Sequence, residues 1–324
     1  MLSPGSGLPD IEIQGDIDNA LDGHKALVKV ADFPRNSRFP IGEIVEVFGV
    51  PGAHDTEIHA IVAEFGFSTQ FPKEVLIESE AVSHEIKMAD YREDFREVCT
   101  FTIDPEDAKD FDDALSIRHL ESGNIEIGVH IADVEHYVKP GTELDKEAAN
   151  RATSVYLVDR TIPMLPEVLS NDLCSLRPNE DRYAFSVIIE FDKNFNIHKT
   201  RITKTIIHSD FRFSYETAQN QLDEKRGSHY TELALLNTIA KKHEEIRYKD
   251  GALKFESKEL RFLLDADLLP TQVIEKKRFD THKLIETYML LANKIVAKTV
   301  YDAKTPPVPF IYRTHDEPPP DKLI

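Results

Sequence analysis

The segment FTIDPEDAKDFDDALSI, Phe101 to Ile117, decides how the chain is read. Six of the ten residues from 104 to 113 are acids: Asp104, Glu106, Asp107, Asp110, Asp112 and Asp113, opposed only by Lys109. Strand-like runs flank them, VCTFTI (98–103) before and ALSIRHL (114–120) after. A loop between two strands folds back and can bring Asp104, Asp110, Asp112 and Asp113 to one point. Carboxylates gathered in this way do not all stay ionised unless a cation sits among them. Mg²⁺ suits such a set, because it takes carboxylate and water oxygens and often completes its shell with substrate phosphate. An EF-hand starting at Asp104 is excluded, since its sixth and twelfth positions are Lys109 and Leu115 rather than Gly and Glu. Spacing alone leaves an exposed acidic loop as the plain alternative.

Working outward, several more strands and helices follow the acids. IEIGVHIADV (125–134) reads as a strand, and RYAFSVIIEFD and HKTRITKTIIHSDFRF as paired strands about the turn DKNFN (192–196). GTELDKEAANRATS reads as a helix capped by Thr142, with Asp145 three residues on. Longer helices are expected from about Thr231 to Tyr248 and over THKLIETYMLLANKIVAKTVYDA. In the latter Thr281 stands at the cap, and Leu284, Tyr288, Leu291 and Ile295 form an apolar stripe. On the N-terminal side, HKALVKVADF, GEIVEVFGV and EIHAIVAEFGF read as short strands of a small β-barrel, separated by turns at PRNSRFPIG and PGAHD. FPKEVLIESEAVSHEI then reads as a loop and a short helix.

The 324 residues leave room for two or three domains. The composition, 41% hydrophobic and 30% charged, is that of an ordinary globular protein. No apolar run reaches the ~18 residues that a membrane span needs. The start lacks the basic and apolar regions of a secretory signal, and the two cysteines, Cys99 and Cys174, suit a reducing cytoplasm as small interior hydrophobes. The net charge of −19 argues against a nonspecific nucleic-acid binder, unless the acids hold cations or bases line one channel. Local bases exist at Lys199, Arg201, Lys204, Arg212, Lys276, Lys277 and Arg278; their ordinary role is a solvated edge or helix face.

The chain resembles the ribonuclease II/R family, ribonuclease R above all. The resemblance rests on TIDPEDAKDFDDALSI, IGVHIADVEHYV, ATSVYLVDRTIPMLPEVLSNDLCSLRPNEDRYAFSV, THKLIETYMLLAN and PFIYRTHDEPPPDKL, which stand in family order between residues 101 and 323. VADFPRNSRFPIGEIVEVFG and FPKEVL resemble the cold-shock-type OB domain that precedes the catalytic domain. The resemblance implies a mixed α+β chain. An OB domain, incomplete at its N-terminus, would span 1–80, a linker 81–91, and a catalytic domain, incomplete at its C-terminus, 92–324.

It also implies a Mg²⁺-dependent, processive 3′→5′ exoribonuclease that hydrolyses single-stranded RNA to nucleoside 5′-monophosphates. Asp104, Asp110, Asp112 and Asp113 match the family's catalytic aspartates. Asp104, Asp110 and Asp113 would be direct ligands, and Asp112 would hold a second ion or the attacking water. Tyr156 matches the tyrosine that stacks on the terminal base. Phe262 falls where an aromatic clamps the outer nucleotides, with core packing as its plain alternative. Glu286 and Asn293 are expected near ribose or backbone, and Arg177 with Asn171 on a loop lining the RNA path. His130 is expected to be a satisfied interior histidine, Asp133 and His136 to extend the polar floor, and Glu106 and Asp107 to be solvated. The family's SPIRRY block and C-terminal OB domain do not occur here, so weak or absent activity of this polypeptide alone is expected. The partner is the 3′ end of single-stranded RNA, with no membrane and no obligate protein partner evident. The rival readings are a noncatalytic RNA-binding protein of the same fold and a plain OB-fold module with an acidic appendage.

Overall fold

A computed structural model describes residues 9–14, 22–253, 259–265, 269–303 and 309–314. The HDEPPPDKL end of the last family-like block lies outside them. In chain order the first elements are β1 (Glu12–Ile13), β2 (Lys25–Asp32), β3 (Ile41–Gly49), α1 (His54–Glu64) and α2 (Lys73–Glu80). Next come β4 (Arg92–Phe95), β5 (Thr100–Asp104), β6 (Asp113–His119), β7 (Ile125–Ala132), α3 (Val134–Tyr137) and α4 (Glu143–Arg151). After them run β8 (Val155–Tyr156), β9 (Thr161–Ile162), a π-helical turn at Leu169–Leu173, β10 (Asp181–Phe191), β11 (Ile197–His208) and β12 (Phe211–Ser214). The rest are α5 (Tyr215–Glu224), α6 (Tyr230–Lys249), β13 (Leu260–Leu264), β14 (Pro270–Glu275) and α7 (Asp280–Asp302). The mixed α+β class holds.

Two compact units form. One comprises Met1–Leu76, Ala148–Met164 and Phe262–Val273; the other comprises Ile77–Glu147, Leu165–Arg261 and Ile274–Ile324. In the first, β1, β3 and β2 make a three-stranded sheet. The expected strand EIHAIVAEFGF is instead helix α1. A short apolar run fits either period, and here the helix prevails. Asp55 and Glu57 sit in its first turn, where they favour the positive end of the helix, Val62 turns inward, and Gly66 at φ +79° ends it.

The second unit is built on a seven-stranded sheet in the order β12-β5-β6-β7-β10-β11-β4. One face is apolar at every second residue: Phe101 and Ile103, Leu115 and Ile117, Ile125, Ile127 and Val129, Val187, Ile189 and Phe191. Helices α5, α6 and α7 cover it with Ala218, Leu233, Leu236, Ile239, Leu284, Ile285 and Tyr288. Each fully buried side chain of this size contributes roughly 1.5–3 kcal/mol. Ser214 caps α5 by accepting from the Thr217 amide at 3.1 Å, and Thr217 Oγ1 accepts from the Ser214 amide in return at 2.9 Å. Thr142 Oγ1 accepts from the Asp145 amide at 3.2 Å, as expected for the start of α4. Thr281, expected to cap α7, lies one residue inside the helix. It is buried and donates to the Tyr215 carbonyl at 3.0 Å, so packing on α5 claims its hydroxyl.

The other sheet face holds a buried polar core. His130 is fully buried, with Nδ1 2.7 Å from Ser186 Oγ and Nε2 2.8 Å from Ser116 Oγ; Ser186 in turn meets Thr205 Oγ1 at 2.7 Å. Burial holds its pKa down to about 3, which keeps the ring neutral. This is the satisfied interior histidine expected from the sequence. Gly128 makes room for it: a Cβ there would lie 2.4 Å from His130 Nε2 and 2.5 Å from Ser116 Oγ. Gly128→Ala is therefore expected to destabilise the chain by about 1–3 kcal/mol through overpacking, read as a lower urea midpoint.

Candidate active site

Strands β5 and β6 run antiparallel, with Thr100 opposite Ser116 and Phe101 opposite Leu115. The C-terminal end of one and the N-terminal start of the other therefore meet at one edge of the sheet. Asp104 closes β5 and Asp113 opens β6, so the loop between them returns Asp110 and Asp112 to the same edge. The turn is held from behind. Ser175 Oγ accepts from the Phe111 amide and donates to the Lys109 carbonyl, both at 2.9 Å, while the Leu176 amide donates to the Phe111 carbonyl at 2.8 Å. Arg212, on β12 beside β5, donates through Nη2 to the carbonyls of Pro105 and Glu106 at 2.7 Å each.

The electrostatics show that the four acids share one neighbourhood. Asp104 is 8% exposed, and burial, with repulsion from Asp113 and Asp112, pushes its pKa up to about 7 against the pull of Thr102 and Arg212. Asp112 is open to solvent on one side, yet loss of hydration around its carboxyl and repulsion from Asp110 raise it to about 6. Burial and Asp112 raise Asp113 to about 6 as well. The effect reaches Tyr215, whose phenol is pushed up to about 12 by burial and by Asp113 and Asp104, and whose ring stacks on His282 at 3.8 Å. Among the described residues, Asp104 Oδ2 is buried without a hydrogen-bond partner.

Among the described residues, no three acid, histidine or cysteine side chains close into a compact metal cage. What remains is an all-oxygen donor set with one orphaned carboxylate oxygen. That fits a hard cation such as Mg²⁺, which uses one or two carboxylates and completes its shell with water and substrate oxygens.

The other expected residues are spread more widely. Glu286, on α7, is held by Arg247 at 3.1 Å and also by Arg278. Asn293 lies seven residues further along the same helix and is exposed. Arg177 is exposed and pairs with Asp172 at 3.3 Å and Glu180 at 3.5 Å, just after the π-helical turn that backs the aspartate loop. Tyr156, on β8, belongs to the first unit and is 65% exposed. Phe262, on β13, is 43% exposed, so the core-packing alternative does not hold. Glu106 and Asp107 are exposed as expected, although Asp107 meets Arg261 at 3.2 Å.

Two expectations need correction. Asp133 is not free to extend the polar floor: Arg92 Nη2 binds it at 2.6 Å with both side chains buried, and Lys204 adds a contact at 3.3 Å. His136 is likewise engaged, its ring centre 4.1 Å from that of Tyr183 with the two planes tilted by 49°, and it faces Arg92. Four of the local bases are engaged in ion pairs among the described residues. Arg201 pairs with Glu93 and Glu126, Lys204 with Glu135, Lys276 with Glu259, and Arg278 with Glu286. Cys174 is buried as expected, whereas Cys99 is only half-buried. Asp133→Ala would leave the Arg92 guanidinium buried without its carboxylate and is expected to cost about 3–5 kcal/mol in a urea titration.

Sequence reading passed over Ser175 and Tyr215 and treated Arg212 only as a local base. The nearness of Tyr215 and Arg212 to the acids depends on β12 lying parallel to β5, a pairing between segments about 110 residues apart that no local pattern announces.

Comparison with known proteins agrees with this architecture. The RNB domain family matches residues 92–324, and the cold shock domain family matches residues 9–72. The chain is 40% identical over 319 residues to the mouse exosome complex exonuclease RRP44, covering 97% of this chain and 33% of that protein. The structure of Mycoplasma genitalium RNase R in complex with ribose methylated single-stranded RNA superposes with a TM-score of 0.80 at 26% identity, over 90% of this chain and 47% of that one. Yeast Ssd1, described as a pseudonuclease, shares the fold with a TM-score of 0.62 at 20% identity, over 86% of this chain and 35% of that one. The chain thus spans only a third to a half of these proteins. With an RNB match over most of its length and a cold shock match before it, the chain belongs to the RNB-domain family.

Proposed function

We propose that this chain carries the metal-binding acids of a processive 3′→5′ exoribonuclease that hydrolyses single-stranded RNA to nucleoside 5′-monophosphates with Mg²⁺. The observation that carries the reading is the coupled quartet at the β5–β6 edge, with the orphaned Asp104 Oδ2. Asp104, Asp110 and Asp113 would hold the cation directly, and Asp112 would hold a second one or orient the attacking water. When bound, Mg²⁺ supplies charge stabilisation for an in-line displacement at phosphorus.

The chain's own residues prepare that chemistry. Ser175 and Arg212 bind the backbone of the loop that carries the carboxylates, which would supply part of the preorganisation such a reaction needs. Tyr156 would stack on a base, a contact open to every sequence because every base has a π-face. Phe262 would do the same further out. Glu286 and Asn293 would meet the ribose, where a 2′-hydroxyl separates RNA from DNA, and Arg177 would line the path. The substrate is supported by the RNA-bound relative, and the unbridged cysteines are in keeping with a cytoplasmic setting.

The test is an assay of RNA duplexes carrying either a 3′ or a 5′ single-stranded tail, with Mg²⁺ or with EDTA. Mononucleotides are expected from 3′ tails alone and only with the metal. RNA binding without products under every condition, both from this chain and from the chain extended to the length of its relatives, would instead make this a noncatalytic RNA-binding protein of the same fold.

A further inference from the structure

Residues Ala148–Met164 lie inside the stretch matched by the RNB domain, yet they fold with the cold-shock unit. At the start of this segment Arg151 donates to the carbonyls of Ser68 at 3.0 Å and Gln70 at 2.6 Å, and its guanidinium lies 3.8 Å from the centre of the Phe71 ring. At the base of the following hairpin, Ser154 Oγ accepts from the Met164 amide at 2.9 Å. Strands β8 and β9 pair as Val155 with Ile162 and Tyr156 with Thr161.

The tip is tied down by charge. The Asp159 side chain is fully buried, and its Oδ2 meets His54 Nε2 at 3.0 Å and Arg160 at 2.6 Å. Arg160 also reaches Asp55, so both side chains at the start of α1 are engaged. Burial alone would push the Asp159 carboxyl up, but Arg160 and His54 outweigh it and hold it below the ordinary carboxylate range. Among the described residues Asp159 Oδ1 is buried without a partner, and His54 and Arg160 are the side chains that hold the carboxylate.

We infer that His54 and Asp159, with Arg160 bridging to Asp55, are positioning residues that clamp the Tyr156 hairpin to helix α1, so that the cold-shock unit presents this tyrosine to RNA. The inference rests on the reading of Tyr156 as a base-stacking residue. It assigns the four clamp residues no contact with RNA themselves. The Asp55–Arg160 pair is largely exposed and is the weaker half of the clamp, while the His54–Asp159 contact is the stronger because the carboxylate is shut away from water.

The experiment has two arms on the full chain. The first uses no RNA. Hydrogen exchange at the amides of 155–162 is compared for the native chain, His54→Leu, and His54→Gln, which keeps a donor. His54→Leu is expected to speed exchange in the hairpin at least about tenfold while 181–207 stays protected, and His54→Gln to restore most of the protection. Unchanged exchange in His54→Leu would overturn the clamp whatever RNA does.

The second arm measures the affinity of a single-stranded RNA oligomer in EDTA for His54→Leu, Tyr156→Ala and the double variant. Tyr156→Ala is expected to weaken binding about tenfold and His54→Leu about threefold or more, the double variant being no weaker than Tyr156→Ala alone. Additive losses would overturn the positioning role. No loss with Tyr156→Ala would remove the stacking reading itself and this role with it. In that case the exchange arm would still report separately on whether the clamp exists.

Discussion

Asp112→Asn lowers the release of mononucleotides by about a thousandfold while affinity for single-stranded RNA in EDTA stays within about threefold. That is the expected result if the quartet performs the chemistry. Asparagine keeps the size of the side chain and removes its charge, so the loop held by Ser175 and Arg212 should keep its shape. What is lost is one carboxylate from a cluster that, on the proposed reading, gathers negative oxygens around a cation. Removing one preorganised electrostatic group from an active site costs about 10²–10³ in rate, and a metal or water ligand stands at the upper end. Asp112 is the informative choice because it is the most exposed of the four, so folding should tolerate the change. Product release is followed by chromatography of labelled RNA, with circular dichroism as the check on the fold. A rate within tenfold of the native chain would remove the quartet from catalysis.

The second large effect concerns stability and has the opposite sign. Asp104 has an ordinary value of 3.8 but sits near 7 in the folded chain without metal. Between those values the folded state binds more protons than the unfolded state, so stability falls as pH rises through the window and the penalty is complete above about pH 7. Asp112 and Asp113, near 6, act in the same direction. For Asp104 the difference corresponds to roughly 4 kcal/mol. Three results follow in melting experiments. Without metal, the native chain melts at a lower temperature at pH 8 than the quartet would allow at pH 5. Asp104→Asn, which cannot ionise, melts several degrees higher than the native chain at pH 8 and close to it at pH 5. Added Mg²⁺ stabilises the native chain more at pH 8 than at pH 5, and the variant much less. Equal melting of native and variant at pH 8 would mean that Asp104 is not a strained buried carboxylate. Together the two experiments describe a site that keeps a destabilising cluster for the sake of its chemistry.

The loop that carries the acids, with Asp104 ending one strand and Asp113 starting the next, was legible in the sequence because its cause is local. Acids between two β-forming runs fall on the connecting loop, while the choice of four among the six came from the family resemblance. The apolar alternation of β5, β6, β7 and β10 and the apolar stripes of α6 and α7 were legible for the same reason, since their periods are written in neighbouring residues. The true state of α1 was not, because EIHAIVAEFGF suits both periods and only its packing, with Val62 turned inward, selects the helix. Thr281 looked like a cap and became a packing contact, and Asp133 looked like part of the site and became half of a buried ion pair.

What the amino-acid order alone determined, then, was the identity of the acids, the strands that carry them and the family to which they belong. The tertiary structure alone decided which partners claim each polar group. It set Arg212 and Ser175 around the loop, left Asp104 Oδ2 without a donor, and folded the Tyr156 hairpin into the cold-shock unit through His54 and Asp159. The physical reason is that hydrogen bonds and buried charges are satisfied by whatever the fold brings within about 3 Å. For these groups the partner comes from a strand or helix tens to more than a hundred residues away.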